Sequence, residues 1–154
     1  DPRFTAAVVG IAGIVWHPAG YLLAVNTGSG ALFRISLRGP VTVRAVTLDR
    51  PLVGADGMAL RPDGTLIVVI NSLGGAGSNS VALVHGTHNW SAAHVVAEHS
   101  WPDPDPTTVA RTPAGAYILT GRLRELATGQ PADTFTLRRL DAAGPAPESR
   151  TGPS

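Results

Sequence analysis

Apolar and polar positions along this chain form a pattern that occurs three times. Residues 12–26, AGIVWHPAGYLLAVN, give a short apolar run, a polar turn closing on Gly20, and a second apolar run rich in strand formers. The pattern returns as DGMALRPDGTLIVVIN over 56–71 and more faintly as TTVARTPAGAYILT over 107–120. Pro18, Pro62 and Pro113 match, as do Gly20, Gly64 and Gly115, so the spacings are 44 and 51 residues. Each spacing suits one four-stranded antiparallel unit, which cannot bury both faces alone and must stack on neighbours. The glycines recur for a physical reason: a tight reversal such as Asp63-Gly64 requires positive φ, which glycine adopts without steric cost.

The alternation predicts strands over 14–16, 21–26, 31–37 and 41–48 in the first unit, after a lead-in over 4–9. It predicts 58–60, 65–70, 81–84 and 94–97 in the second, and 109–111, 116–120 and 135–140 in the third. Residues 71–80, NSLGGAGSNS, form a loop; they lack the GxGxxG order and the Gly-Lys-Ser/Thr ending of a phosphate cradle. Three prolines make 101–107 irregular, and Gly129 and Pro131 cut short a helical tendency that runs through Leu126. The chain therefore divides into an all-β domain over 1–141 and a low-complexity tail over 142–154, which has too little apolar area to offset the entropy of ordering.

Composition narrows the classes of function. The 154 residues are 44% hydrophobic and 15% charged, enough for a sizeable core, and a net charge of +1 supplies no field for a nucleic-acid partner. All twelve basic side chains are arginine. With no cysteine there is no disulfide, thiolate or thiol metal site, and extracellular, periplasmic and cytoplasmic locations all stay open. The apolar run over 4–15 is too short and too broken by glycine to span a membrane.

The chemistry-bearing residues are few. His85, His88, His94 and His99 fall close together but lack HExxH spacing, and no GxSxG is present, so catalytic residues are not assigned. Asn26 and Asn71 end equivalent second strands, where their amides either meet a polar ligand in the channel between units or cap the following loop. Asp105 lies just before Thr107-Thr108, the pair that stands where the second unit has Asp56-Gly57, and is a further candidate for ligand binding at the same axial opening. Trp90 and Trp101 read as seam-packing residues.

Taken together, AGIVWHPAGYLLAVNTGSGALFRI, ADGMALRPDGTLIVVINS and DPTTVA resemble the SMP-30, gluconolactonase and luciferin-regenerating-enzyme superfamily of six-bladed β-propellers, over residues 10–140. The resemblance implies three four-stranded blades from the later half of such a ring. It implies a metal-dependent lactone or ester hydrolase acting on a small polar molecule at the axis, with a non-catalytic ligand-binding or structural propeller fragment as the alternative. The implied cofactor is a divalent cation, calcium first, held by oxygen ligands. Asp56, opening an Asp-Gly pair, matches one of those ligands, and a turn or capping role is the competing reading of the same carboxylate. Ala12 stands where the family pattern has a ligating asparagine, and the early-blade glutamate has no counterpart. Three blades leave two faces uncovered, so the expected partner is an N-terminal companion fragment or the remainder of a precursor, with a homodimer as the alternative.

Overall fold

The structure is a computed structural model that describes residues 10–130, 133–141, 144–145 and 150–153. The lead-in expected over 4–9 and residues 142–143, 146–149 and 154 of the tail lie outside the described residues. The chain is all-β, 54% strand and 4% helix. In the first sheet, β1 (Ile11–His17), β2 (Tyr21–Asn26), β3 (Leu32–Ser36) and β4 (Val43–Ala45) are hydrogen-bonded in chain order. The second sheet has the order β5-β9-β8-β7-β6, from β5 (Thr47–Leu48), β6 (Ala55–Leu60), β7 (Leu66–Ile70), β8 (Ser80–Thr87) and β9 (Ala92–Ser100). The third runs β10 (Thr108–Thr112), β11 (Gly115–Thr120), β12 (Thr134–Asp141) and β13 (Gly144–Pro145), with α1 (Leu123–Ala127) between β11 and β12. A last strand, β14 (Arg150–Pro153), also pairs with β12, so two stretches beyond residue 141 are hydrogen-bonded to the third sheet.

The repeated turn is the same device in the first two sheets. His17 pairs with Tyr21 and Leu60 with Leu66, while Gly20 and Gly64 reverse the chain at φ values of 87° and 84°.

The expected single outer strand over 41–48 is instead two strands in different sheets. At the buried Val46 the backbone changes partners: its N–H still donates to the Leu32 carbonyl at 2.8 Å, but the next N–H, of Thr47, donates to Ser91 at 3.0 Å. From there β5 runs parallel to β9, Thr47 opposite Ala92 and Leu48 opposite Ala93. Periodicity could not show this, because a strand that changes sheets keeps its alternation. The fourth strand of the second sheet is also longer than the run over 94–97 suggested, since its alternation of exposed His94, Val96, Glu98 and Ser100 with more buried neighbours continues to Ser100.

The core lies in two layers on either side of the middle sheet. Leu23, Val25 and Leu32 of the first sheet meet Leu66, Val68, Ile70, Ala82 and Val84 of the second, with Trp90 in the same cluster. On the far face, Ile67, Val69 and Val81 meet Val109 and Ile118 of the third sheet, with Trp101 among them. All five residues of β7, LIVVI, are buried and supply alternate layers, which is why this strand is apolar without interruption. Truncating any one of its branched side chains to alanine should cost about 2–5 kcal/mol.

Glycine sets how closely the first strands of successive sheets approach. A β-carbon on Gly13 would overlap the Asp56 carbonyl oxygen, and one on Gly57 would overlap Thr108 Cα. The Gly57 N–H donates across the second seam to the Thr107 carbonyl at 2.9 Å. The register slips between Ile11 and Gly13 in β1 and between Ala55 and Met58 in β6, whereas β10, with Thr108 at the corresponding place, pairs without a slip.

Candidate functional site

The second strands end where the first strands begin, so Ala12 and Asp56 share one edge of the molecule with the residues that follow β2 and β7. There, Ala12, Thr27, Asp56, Asn71, Leu73 and Gly74 line a cavity of about 170 Å³. Asn71, 2% exposed, holds the site together. Its Nδ2 donates to Asp56 Oδ2 at 3.0 Å and to the Pro106 carbonyl at 2.8 Å, and its Oδ1 accepts the Leu73 N–H at 3.0 Å. One amide thus joins the carboxylate, the loop after β7 and the segment leading into the third sheet. Burial pushes the Asp56 carboxyl above the usual aspartate range, and the Asn71 hydrogen bond opposes this in part.

Thr27 is singled out by no motif in the sequence. It is 6% exposed, lines the same cavity, and its hydroxyl has no hydrogen-bond partner among the described residues. A buried hydroxyl without a partner costs about 1–3 kcal/mol, and Thr27 shares the lining of its cavity with Asp56 and Asn71. The available sequence signal was positional: Thr27 follows β2 as Asn71 follows β7, 44 residues on, so the counterpart of Asn71 is Thr27 and not Asn26, whose place in the second sheet is taken by Ile70.

The other expected site residues have different surroundings. Asn26 is buried and bonds within its own turn, accepting from Ser29 N at 2.9 Å and Ser29 Oγ at 3.0 Å. Asp105, at φ 50° and 4% exposed, is gripped by Arg124 from Nε at 2.6 Å and from a terminal nitrogen at 2.9 Å. It also accepts from Ser72 Oγ at 3.1 Å, and the Arg124 hydrogen bonds are the main reason its carboxyl lies below the usual range. The pair fastens α1 to the segment before β10, and Ser72 ties both residues to the loop after β7. The structure therefore brings Asp56 and Asn71 into one cavity, places Asn26 in a turn and Asp105 in an ion pair, and adds Thr27 and the Pro106 carbonyl.

At the opposite edge, His17 stacks on Tyr21 with ring centroids 4.3 Å apart, and the Arg34 guanidinium lies 4.1 Å from the Tyr21 centroid. Burial, then the Arg34 charge, lowers the His17 pKa. His85 Nε2 is 2.8 Å from Thr65 Oγ1, and its ring meets His94 edge-on at 6.2 Å. Among the described residues no three His, Cys, Asp or Glu side chains gather as a metal-ligand group. Trp90 and Trp101, each 5% exposed, pack in the two cores.

No protein-family model matches the sequence. No curated protein matches it either. Solved structures do match. The chain superposes on a periplasmic gluconolactonase of Pseudomonas aeruginosa with a TM-score of 0.60 at 16% identity, covering 93% of this chain and 39% of that one. A protein of unknown function from Bacteroides caccae matches with a TM-score of 0.57 at 10% identity, over 94% of this chain and 46% of that one. The chain thus spans less than half the length of either structure. At these identities the likeness concerns the fold, and the three curled sheets are consistent with a propeller-like arrangement.

Proposed function

We propose that this chain is part of a six-bladed propeller, contributing three blades, and that the completed ring hydrolyses a lactone or ester of a small polar molecule at its axis. The observation that carries the reading is the cavity at the shared edge, lined by the half-buried Asp56 and by Thr27, whose buried hydroxyl has no hydrogen-bond partner among the described residues. The fold of a gluconolactonase supports it.

Calcium is the proposed cofactor, and this chain alone does not complete a site for it. Calcium takes six to eight oxygens; here Asp56 offers one carboxylate, and the Asn71 amide oxygen already accepts from Leu73. Asp56 would be one ligand, with Thr27 beside it, and the remaining oxygens would come from the companion segment that completes the ring. Such an ion would supply Lewis-acid polarisation of the substrate carbonyl. Asp56 has a second capacity in its own right, since a carboxyl raised toward neutrality accepts a proton from water or a substrate hydroxyl more readily than an ordinary aspartate.

A non-catalytic ligand-binding propeller is the second reading. It is favoured by the lining itself, in which a single carboxylate among small and apolar residues suits hydrogen bonding to a neutral polyol. Calcium calorimetry and gluconolactone hydrolysis on the complete assembly separate the two. Under the hydrolase reading Asp56→Asn weakens calcium binding and turnover by more than about tenfold, while Asp63→Asn, in the exposed turn after Pro62, changes neither. Equal effects from the two variants, or none from Asp56→Asn, would reject the site.

A further inference from the structure

We infer that the exposed inner margin of the first sheet seats a β-sheet from a different polypeptide segment, one with glycine where this chain has Thr108, and that a second copy of this chain does not fit there. The inference rests on the proposed ring completion and names its occupant.

Each seam joins a receiving face to a donating one. On the second sheet the receiving face carries Met58, Leu66, Val68 and Ile70, all buried in the core shared with the first sheet. A shift of 44 residues places Ile14, Leu22 and Ala24 of the first sheet at the positions of Met58, Leu66 and Val68, with the same pairings, Ile14 opposite Ala24 and Trp16 opposite Leu22. Ile14 is 56% exposed where Met58 is 8% exposed, and Trp16 is 60% exposed two residues further along the strand. Ile11 is exposed on the same strand, and Leu22, Ile35 and Val43 are half-buried, although Ala24 and Phe33 deeper in the face are buried. Scattered apolar residues on a surface are ordinary. An apolar run on the first two strands that repeats three of the four buried seam positions, Asn26 replacing only Ile70, marks an interface.

The geometry of the two existing seams selects the occupant. In each, the donating sheet has glycine on its first strand, Gly13 and then Gly57, because the next sheet's backbone occupies the space of a β-carbon. A sheet seated on β1 in the same way would need glycine at that place. The donating face of a second copy would be that of the third sheet, which has Thr108 there and no slip in register. It also carries Arg139 opposite Tyr117, ion-paired to Asp141 at 2.7 Å, and seating it would remove that pair from water. The occupant is therefore an apolar β-sheet whose first strand carries glycine near Ala12.

Photo-crosslinking tests this without relying on turnover. Benzoylphenylalanine replaces Ile14 in the chain made in its own cells, and the irradiated product is digested and sequenced by mass spectrometry. The expected crosslink lies outside residues 1–154, in an apolar strand containing glycine. A crosslink to residues 108–119 of another copy, to residues 1–9 of the same chain, or none at all overturns the inference. So does a discrete particle of twice 15.8 kDa in native mass spectrometry of the chain alone. With the probe moved to Trp16, Ile14→Lys should remove the crosslink while the far-UV strand signal is kept; an undiminished crosslink counts against the interface. Because neither calcium nor lactone enters the readout, a chain that crosslinks as expected but supports no hydrolysis would fail the functional reading alone.

Discussion

Asp56 is the residue for which sequence and structure give the most chemistry, and its environment fixes a pH dependence. Burial raises its folded pKa above the unfolded value, so the protonated form suits the fold better. The stability this group contributes is fully present below the unfolded carboxylate pKa, about 3.9, and is lost as pH rises through the raised folded value. Asp56→Asn keeps an acceptor for Asn71 and does not titrate. In calcium-free buffer the Tm of the variant should gain on that of the wild type as pH rises from 4 to 7. A wild type that gains on the variant over the same range would show that the folded chain holds Asp56 as the anion. Asp56 was legible through the resemblance carried by its Asp-Gly pair, and Asn71 because an asparagine closes the apolar run of a second strand. Thr27 and the Pro106 carbonyl were not, since a hydroxyl in a glycine turn and a main-chain oxygen carry no composition signal. Nor could spacing show that Arg124, nineteen residues away, occupies Asp105.

At the scale of elements, the turns and second strands were legible because their physics is local. A Pro-x-Gly reversal between apolar runs leaves few alternatives, and the strands on either side of it pair as the alternation requires. The change of sheets at Val46 was not legible, because it depends on which carbonyl lies nearest in space. The seam glycines belong between these cases, since Gly57 is visible in the sequence but its reason lies in the third sheet. Gly57→Ala should therefore cost about 3 kcal/mol, seen as a lower urea midpoint with an unchanged slope. Gly64→Ala faces open space and only the strain of φ 84°, so it should cost about 1–2 kcal/mol. Equal costs would mean that the seam yields and that close approach of the first strands is not enforced.

For the whole molecule, the crossing of β5 governs how the three sheets come apart. Thr47 and Leu48 tie the first sheet to the outer edge of the second, whereas the first strands of the second and third sheets are joined by the Gly57 to Thr107 hydrogen bond. Drawn from residues 10 and 141 in an optical trap, the chain should yield at the third sheet first. That step releases residues 108–141 with an extension on the order of 100 Å, at about 3.5 Å per residue. The first two sheets should then give way in one event, because a parallel tie pulled along its length loads its hydrogen bonds together instead of one after another. A record in which the first sheet detaches alone would show that β5 carries no load. The short strand that left its own sheet thus makes two of the three repeats a single mechanical unit.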